Sequence, residues 1–304
     1  MTRYLLSRFA QAITTIIGIS IVVFVLARLS GDPASLLIPP DATPADRIAL
    51  SQALGLDRPL LTQYWLFLKG ALTLDFGTSF RFGQPAIEVY LERLPRTAQL
   101  GFFAALLAAT GGVLIGVYGA VRAGSLVDKA ANVLAMIGQA APSFAIAIFM
   151  ITIFAVNLRW LPTSGMGQWQ SFIMPSIALA WFSLASLTRM TRSSMLDVFH
   201  AEYIRLARLK GLPEHVIVWK HAFRNAVLPI MTMFSLQLVF FVSGSVIVEN
   251  IFAWPGIGQL SIQAIESRDY PLVQTIVFIS SSGIVLLNLV VDILYGLIDP
   301  RIRR

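Results

Sequence analysis

The sequence predicts an all-α, polytopic membrane protein with six transmembrane helices, and three observations predict it. The 304 residues are 56% hydrophobic and 13% charged, roughly half the charged fraction of a soluble domain, too little to cover a soluble surface. Six stretches carry no charge at all, and all are close to the about 20 residues that a helix needs to cross about 30 Å of hydrocarbon. Lys and Arg are shared unevenly among the segments between those stretches, as membrane topology requires.

Each element follows in order. Residues 9–27 form the first uncharged stretch. Arg3 and Arg8 precede it as in a signal peptide, but the apolar run is too long and no small-residue cleavage site follows, so it reads as a retained helix. Residues 30–96 form a long outer loop with its own helix signals. Thr43-Pro44-Ala45-Asp46 offers an N-cap, a proline at the first helical position and an acid in the first turn. Gly55 reads as its stop. Leu61, Tyr64, Trp65, Leu68 and Leu72 then share one helical face. Tyr and Trp favour the membrane interface, so this helix either lies on the outer leaflet or caps the bundle, and both leave room for an external docking surface.

Residues 97–121 are the second span and 130–158 the third, which Pro142 is expected to kink. Residues 160–171 are rich in Pro, Gly and Gln and read as a loop. The fourth span, 172–188, is the shortest, and 225–248 and 270–291 are the fifth and sixth. Asp292, at the end of the sixth, is expected to pair with a loop cation. Trp254-Pro255-Gly256-Ile257-Gly258 is too rigid and aromatic for a plain tether and reads as a plug or contact element at the outer mouth. The organisation is therefore residues 1–29 (cytoplasmic start and first helix), 30–96 (outer loop), 97–298 (core of spans two to six, with a cytoplasmic loop at 189–224) and 299–304 (cytoplasmic tail).

With the N-terminus inside, the inner segments hold 14 basic residues against 6 acidic, and the outer ones 9 against 10. Positive charge is retained inside, so the +7 net charge is topology first and not a sign of nucleic acid. Both termini are then cytoplasmic. The inner loop is more than an orientation signal. Its stretch from Glu202 to Pro229 carries Arg205, Arg208, Lys210, Lys220 and Arg224, broken by Gly211-Leu212-Pro213. From Met195 to Lys210 nothing breaks a helix; Gly211 supplies a helix end and Pro213 the first turn of a new, short helix. Helix, sharp turn, helix makes a projection suited to a groove on another protein.

That stretch resembles the coupling loop of ABC importer membrane subunits, whose pattern is acid–Ala–Ala, three residues, then Gly. Ala207 stands four before Gly211 as the pattern asks, while Arg205 replaces the acid and Leu206 the first alanine. "RLARLKGL" in this form is similar to the peptide/nickel branch. "RLSGDPA", "LGLDRPLLTQYWLFLKG", "LDFGTSF", "FAWPGIGQL", "RDYPLVQ" and "DILYGLIDPRIR" follow the first permease type of that branch in order. The resemblance implies a type I ABC importer fold in the bacterial or archaeal plasma (inner) membrane, and an import complex. A second permease subunit completes the path, two cytoplasmic ATPase subunits hold ATP-Mg, and an external binding protein delivers a peptide or related solute. In this reading Gly211 makes the turn with Leu212 and Pro213, Ala207 packs closely against the ATPase, and Glu202, Tyr203, Arg205 and Arg208 lie at the contact. The alternative for the charges is a solvated face near lipid headgroups.

What the chain lacks agrees. It has no GxxxxGK[ST], hence no phosphate-cradling loop of its own. It has no cysteine, and His200, His215 and His221 make no metal-binding spacing; no catalytic residue, metal or cofactor is expected on it. The spans hold no acid or base, which argues against a proton- or sodium-coupled carrier, and no filter-like ring points to an autonomous channel. Gln139, Gln237, Ser243, Ser245, Ser281 and Asn288 are the polar candidates for the translocation path, with helix-to-helix hydrogen bonding as the alternative for each.

Overall fold

In the computed structural model the described residues are 2–29, 57–243 and 245–298, with positions 43, 45 and 52. Pro44, Asp46, Gly55 and the tail 299–304 lie outside them. Among the described residues every element is helical apart from one antiparallel bridge, Thr78 to Pro85. The chain divides into two units, Met1–Pro95 with Gln259–Arg304, and Arg96–Gly258.

In the first unit, α1 (Thr2–Leu29) packs on the last helix, α11 (Tyr270–Ile298). Both are apolar over the length of a bilayer and each satisfies its own backbone, as lipid demands. Arg8 Nε meets Asp292 Oδ2 at 3.4 Å, so the acid's expected cation comes from a helix. α2 (Leu60–Thr73) lies on α1, where Tyr64 Oη and Ser20 Oγ are 2.8 Å apart and Tyr64 stands edge-on to Phe24 at 5.5 Å. Phe67, Phe76 and Phe278 extend this aromatic cluster. The helix is thus a cap on α1, yet it leaves Leu61, Trp65 and Leu72 exposed. Asp269 is buried and ties the loop before α3 to the start of α11, accepting from Ser79 Oγ, Arg81 N and Leu272 N.

α3 runs from Ala86 to Val121, 36 residues or about 54 Å at 1.5 Å per residue. The outer loop assigned to 30–96 is therefore helical over its final part. The charges of Glu88, Glu92, Arg93 and Arg96 masked this, because a helix longer than the hydrocarbon carries its charged end beyond it.

In the second unit α6 (Ile173–Phe199) is the central helix, packed against α4 (Leu126–Ala140), α5 (Ser143–Met150) and α8 (Phe223–Ser243). Small residues permit the closeness. A Cβ on Gly112 or Gly116 of α3 would strike Leu187 or Thr191, and one on Gly138 would meet Ala185. α6 continues past the expected end at 188, since arginine is a good helix former, and the arginines beyond that point are paired. Arg192 grips Asp128, with Nη2 to Oδ2 at 2.8 Å, and Arg189 Nη1 donates to Gln139 Oε1 at 2.6 Å.

The third span is not one kinked rod. Residues Leu126–Ala140 and Ser143–Asn157 meet at 109°. Pro142 lacks the N–H to continue the ladder and becomes the N-cap of α5, which runs on into a wide turn at Ile151–Asn157. Among the described residues five helices are long and apolar enough to cross a membrane, six if this bent pair is one span. The fifth begins at Glu214 and not at Asn225, as one turn (Glu214–Val216) and a wide turn (Ile217–Ala222) leading straight into α8. The separate second short helix is thus the root of a span. α9 (Ser245–Ile251) and α10 (Ile257–Glu266) follow.

Candidate functional site

The projecting turn is built at the junction of α6 and α8, within the second unit. α6 stops at Phe199: His200 Nδ1 lies 2.7 Å from the Leu196 carbonyl and Ala201 turns to extended backbone. The uninterrupted helix expected from Met195 to Lys210 is thereby split. The split turns α7 (Glu202–Leu209) so that Ile204 and Ala207 are buried. They join Val117, Met195, Ile217, Val218, Ala222 and Ala226 in a local core. Ala207 is small because it faces the chain's own packing, so its expected contact with a partner gives way to an internal seat.

The end of α7 is a Schellman motif. Gly211 N donates to Arg208 O at 2.9 Å and Leu212 N to Ala207 O at 3.3 Å, with Gly211 at φ +73. Only a residue free of Cβ strain adopts that φ readily. Pro213 then caps the next turn, where Val216 N donates to its carbonyl at 3.0 Å. Arg208 Nη2 reaches Glu214 Oε1 at 2.8 Å across the turn and Arg208 Cζ lies 5.8 Å from the Phe199 ring centre. Asn225 Nδ2 donates to Tyr203 Oη at 2.9 Å. The loop is therefore held from inside and at both flanks.

Its outer face is apolar and cationic together. Leu206, Leu209 (78% exposed) and Leu212 stand out with Tyr203 and Trp219, and Glu202, Arg205, Arg208 and Lys210 are exposed among them. Leu206, Leu209 and Leu212 lie outside every candidate span, so hydrocarbon does not account for their exposure, and exposed apolar patches of this kind mark interaction sites. Leu209 and Trp219 were not singled out in the sequence, and Leu206 only as the residue in place of the pattern's first alanine. With Ile204 and Ala207 assigned inward, the helical period leaves 206 and 209 outward, so the signal existed once the seat was known.

A second constellation surrounds Trp254. The indole is fully buried, stands edge-on to Phe172 at 4.6 Å and donates from Nε1 to Arg96 O at 3.0 Å. Beneath it Glu249 is buried too, accepting from Thr97 Oγ1 at 2.8 Å and from Gly258 N at 2.7 Å, while Ile257 N donates to Thr97 Oγ1 at 2.7 Å. A Cβ on Gly256 would collide with the Glu249 and Thr97 side chains. The Trp254-Pro255-Gly256 element is enclosed, and the fully buried Trp254 side chain leaves no free face. Glu249 and Thr97 were missed, since each borders an uncharged run and looked like its mere boundary.

The six path candidates divide between the two units. Gln139 is taken by Arg189, and Ser245 donates to Val242 O at 2.9 Å. Ser281 and Asn288 belong to the first unit, and the side chain of Ser243 lies outside the described residues. Gln237 stands apart: it is buried, and its Oε1 has no partner among the described residues. Ser176, Trp181, Ser183 and Thr191 on α6, which packs on the helix of Gln237, also hold buried polar atoms without partners among the described residues. Native structures seldom leave such groups dry.

Comparison with known proteins agrees with this architecture. Residues 112–304 match the family described as "Binding-protein-dependent transport system inner membrane component", and residues 1–101 match the N-terminal family of such components. The chain is similar to the glutathione transport system permease protein GsiC of Salmonella choleraesuis (strain SC-B67), with 39% identity over 100% of this chain and 99% of the relative. The same protein of Escherichia coli (strain K12) is 38% identical over the same shares. A structure of the MetNI methionine ABC transporter in inward-facing form shares the fold, with TM-score 0.58 and 17% identity over 70% of this chain and 97% of that one. The family match favours a permease over an autonomous channel or a secondary carrier. The chain belongs to the binding-protein-dependent transport system inner membrane components, as a multi-pass permease subunit of the ABC importer family with the type I fold.

Proposed function

We propose that this permease carries no catalysis of its own and couples import to ATPase subunits through the projection 202–213. One observation carries the reading: the Schellman turn at Gly211, with Leu206, Leu209 and Leu212 exposed among arginines. The chain's own packing uses Ile204 and Ala207 and leaves the other face for a groove. Tyr203, Arg208 and Pro213 hold the projection in shape, and Glu202 and Arg205 stand at its rim. ATP-Mg then belongs to two partner ATPases, and a second permease subunit and an external binding protein complete the importer. Both termini lie in the cytoplasm, as the excess of basic residues on the inner segments favours. The relatives named for glutathione transport support a small peptide or a related solute as cargo, passing beside Gln237 and the polar row of α6.

The test is a pair of surface variants in membranes containing the whole importer. Leu209→Asp puts a charge on the bare face without touching the internal seat; transport and ATPase retention are expected to fall together, at least tenfold. Ser164→Asp, an exposed change in another loop, leaves both intact. Full transport by Leu209→Asp overturns the coupling role.

A further inference from the structure

The first unit contains a cavity of about 340 Å³ that none of the functions above uses. Its walls are Val23 and Leu26 of α1, Ile265 of α10, and Tyr270, Val273 and Val277 of α11; Arg268 and Gln274 supply the polar groups. The volume lies within the range of small-molecule sites, about 300–1,000 Å³.

Its position decides what it can hold. Leu26 is the last residue of one apolar span and Tyr270 the first of another, so the slot opens at a membrane boundary. Val23 and Val277 lie deeper, within the spans. Leu26, Val277 and Ile265 are exposed, on a side that hydrocarbon has to cover. Arg268 and Gln274 stand where lipid headgroups stand. Arg268 is exposed, and no acid of the described residues lies within ion-pair distance of its guanidinium. The Gln274 amide has no hydrogen-bond partner among the described residues, and Gln274 also lines an adjoining cavity beside Arg28 and Asp75. An apolar slot running into the bilayer, headed by an unpaired cation and an unused amide, is complementary to one amphipathic anion.

We propose that this slot binds an anionic phospholipid. One acyl chain lies against Val23, Leu26, Val273 and Val277, the phosphate meets the Arg268 guanidinium, and the Gln274 amide takes the glycerol-ester region. The site does not depend on the coupling reading, since every lining residue belongs to the first unit.

The experiment uses the full purified chain in detergent, with phosphatidylglycerol or phosphatidylcholine of identical acyl chains added and retained lipid read by native mass spectrometry. The wild type retains phosphatidylglycerol about fivefold better, the factor that one basic residue contributes near anionic lipid. Arg268→Asn removes that preference and leaves phosphatidylcholine unchanged; the left-handed φ of +51 at this position suits asparagine. Arg159→Asn is the matched control, because Arg159 is also exposed and left-handed at φ 55; it alters neither lipid. Val273→Trp fills the slot and lowers both lipids. Glycerol 1-phosphate, the headgroup anion without chains, fails to displace the lipid at equal concentration. Three results each overturn the proposal: equal retention of the two lipids by the wild type, equal losses in the Arg268 and Arg159 variants, or displacement by glycerol 1-phosphate. If Val273→Trp does not fold, the two arginine variants still decide.

Discussion

Replacing Gly211 with valine separates the backbone of the projection from its surface. Gly211 sits at φ +73 and no atom lies within 4 Å of where a Cβ would stand. Within this chain, then, the substitution adds strain and no collision. Left-handed backbone costs an L-residue about 1–2 kcal/mol, and a β-branched side chain is the worst case there. A penalty of that size shifts the ratio of closed to open turn by a factor of about 5–30. Asparagine tolerates the same φ, so Gly211→Asn keeps the turn while adding comparable bulk. The assay is co-purification of the ATPase subunits with the tagged permease, alongside uptake in inverted or intact vesicles as the substrate requires. Gly211→Val is expected to lose most ATPase and transport together, and Gly211→Asn to retain most of both. Wild-type behaviour of Gly211→Val, or equal damage from Gly211→Asn, refutes the reasoning from the backbone.

Other substitutions probe the rest of the molecule. Ala207→Asp places a charge in the local core and is expected to lower the thermal unfolding temperature of the detergent-solubilised chain, whereas Leu209→Asp leaves it unchanged; equal stability of the two contradicts the inward seat of Ala207. Glu249→Ala strands the Thr97 hydroxyl and the Gly258 amide, at about 1–3 kcal/mol for each buried donor left unmet, and a Tm equal to wild type counts against the network. Asp128→Asn and Arg192→Gln, combined in a double-mutant cycle, should show a coupling of at least about 1 kcal/mol in unfolding, as contacting groups do; additive effects would mean the pair contributes nothing. The chain has no native cysteine, so single cysteines at Ser125 and Ser267 report topology: Ser267 labels from outside intact cells and Ser125 does not, and the reverse pattern inverts the orientation.

The membrane class and most spans were legible because uncharged length is a direct reading of hydrocarbon thickness. The ends were not. Glu88, Arg93 and Arg96 on α3, Glu214 and Lys220 before α8, and Arg224 in its first turn are helical, and charge marks where a helix leaves the lipid but not where it ends. Arg189 and Arg192 misled in the same way, since their partners Gln139 and Asp128 lie far off in sequence. Pro142 was readable as a break, while the 109° bend depends on what α4 and α5 pack against. In the projection, the turn at Gly211 was evident from residue type alone. Which face of α7 is bare was not, because Ile204 and Leu206 are equally apolar and only their neighbours distinguish them.

The coupling role of the projection is tested most directly by site-specific cross-linking in membranes that contain the assembled importer. A single cysteine at Leu209 or Leu212, on the bare face, is expected to form a cross-link to an ATPase subunit. Cysteines at Ile204 or Ala207, on the buried face, should not. Cross-links from Ile204 and Ala207 but not from Leu209 and Leu212, or none from any of the four in a complex that hydrolyses ATP and transports, would contradict the account.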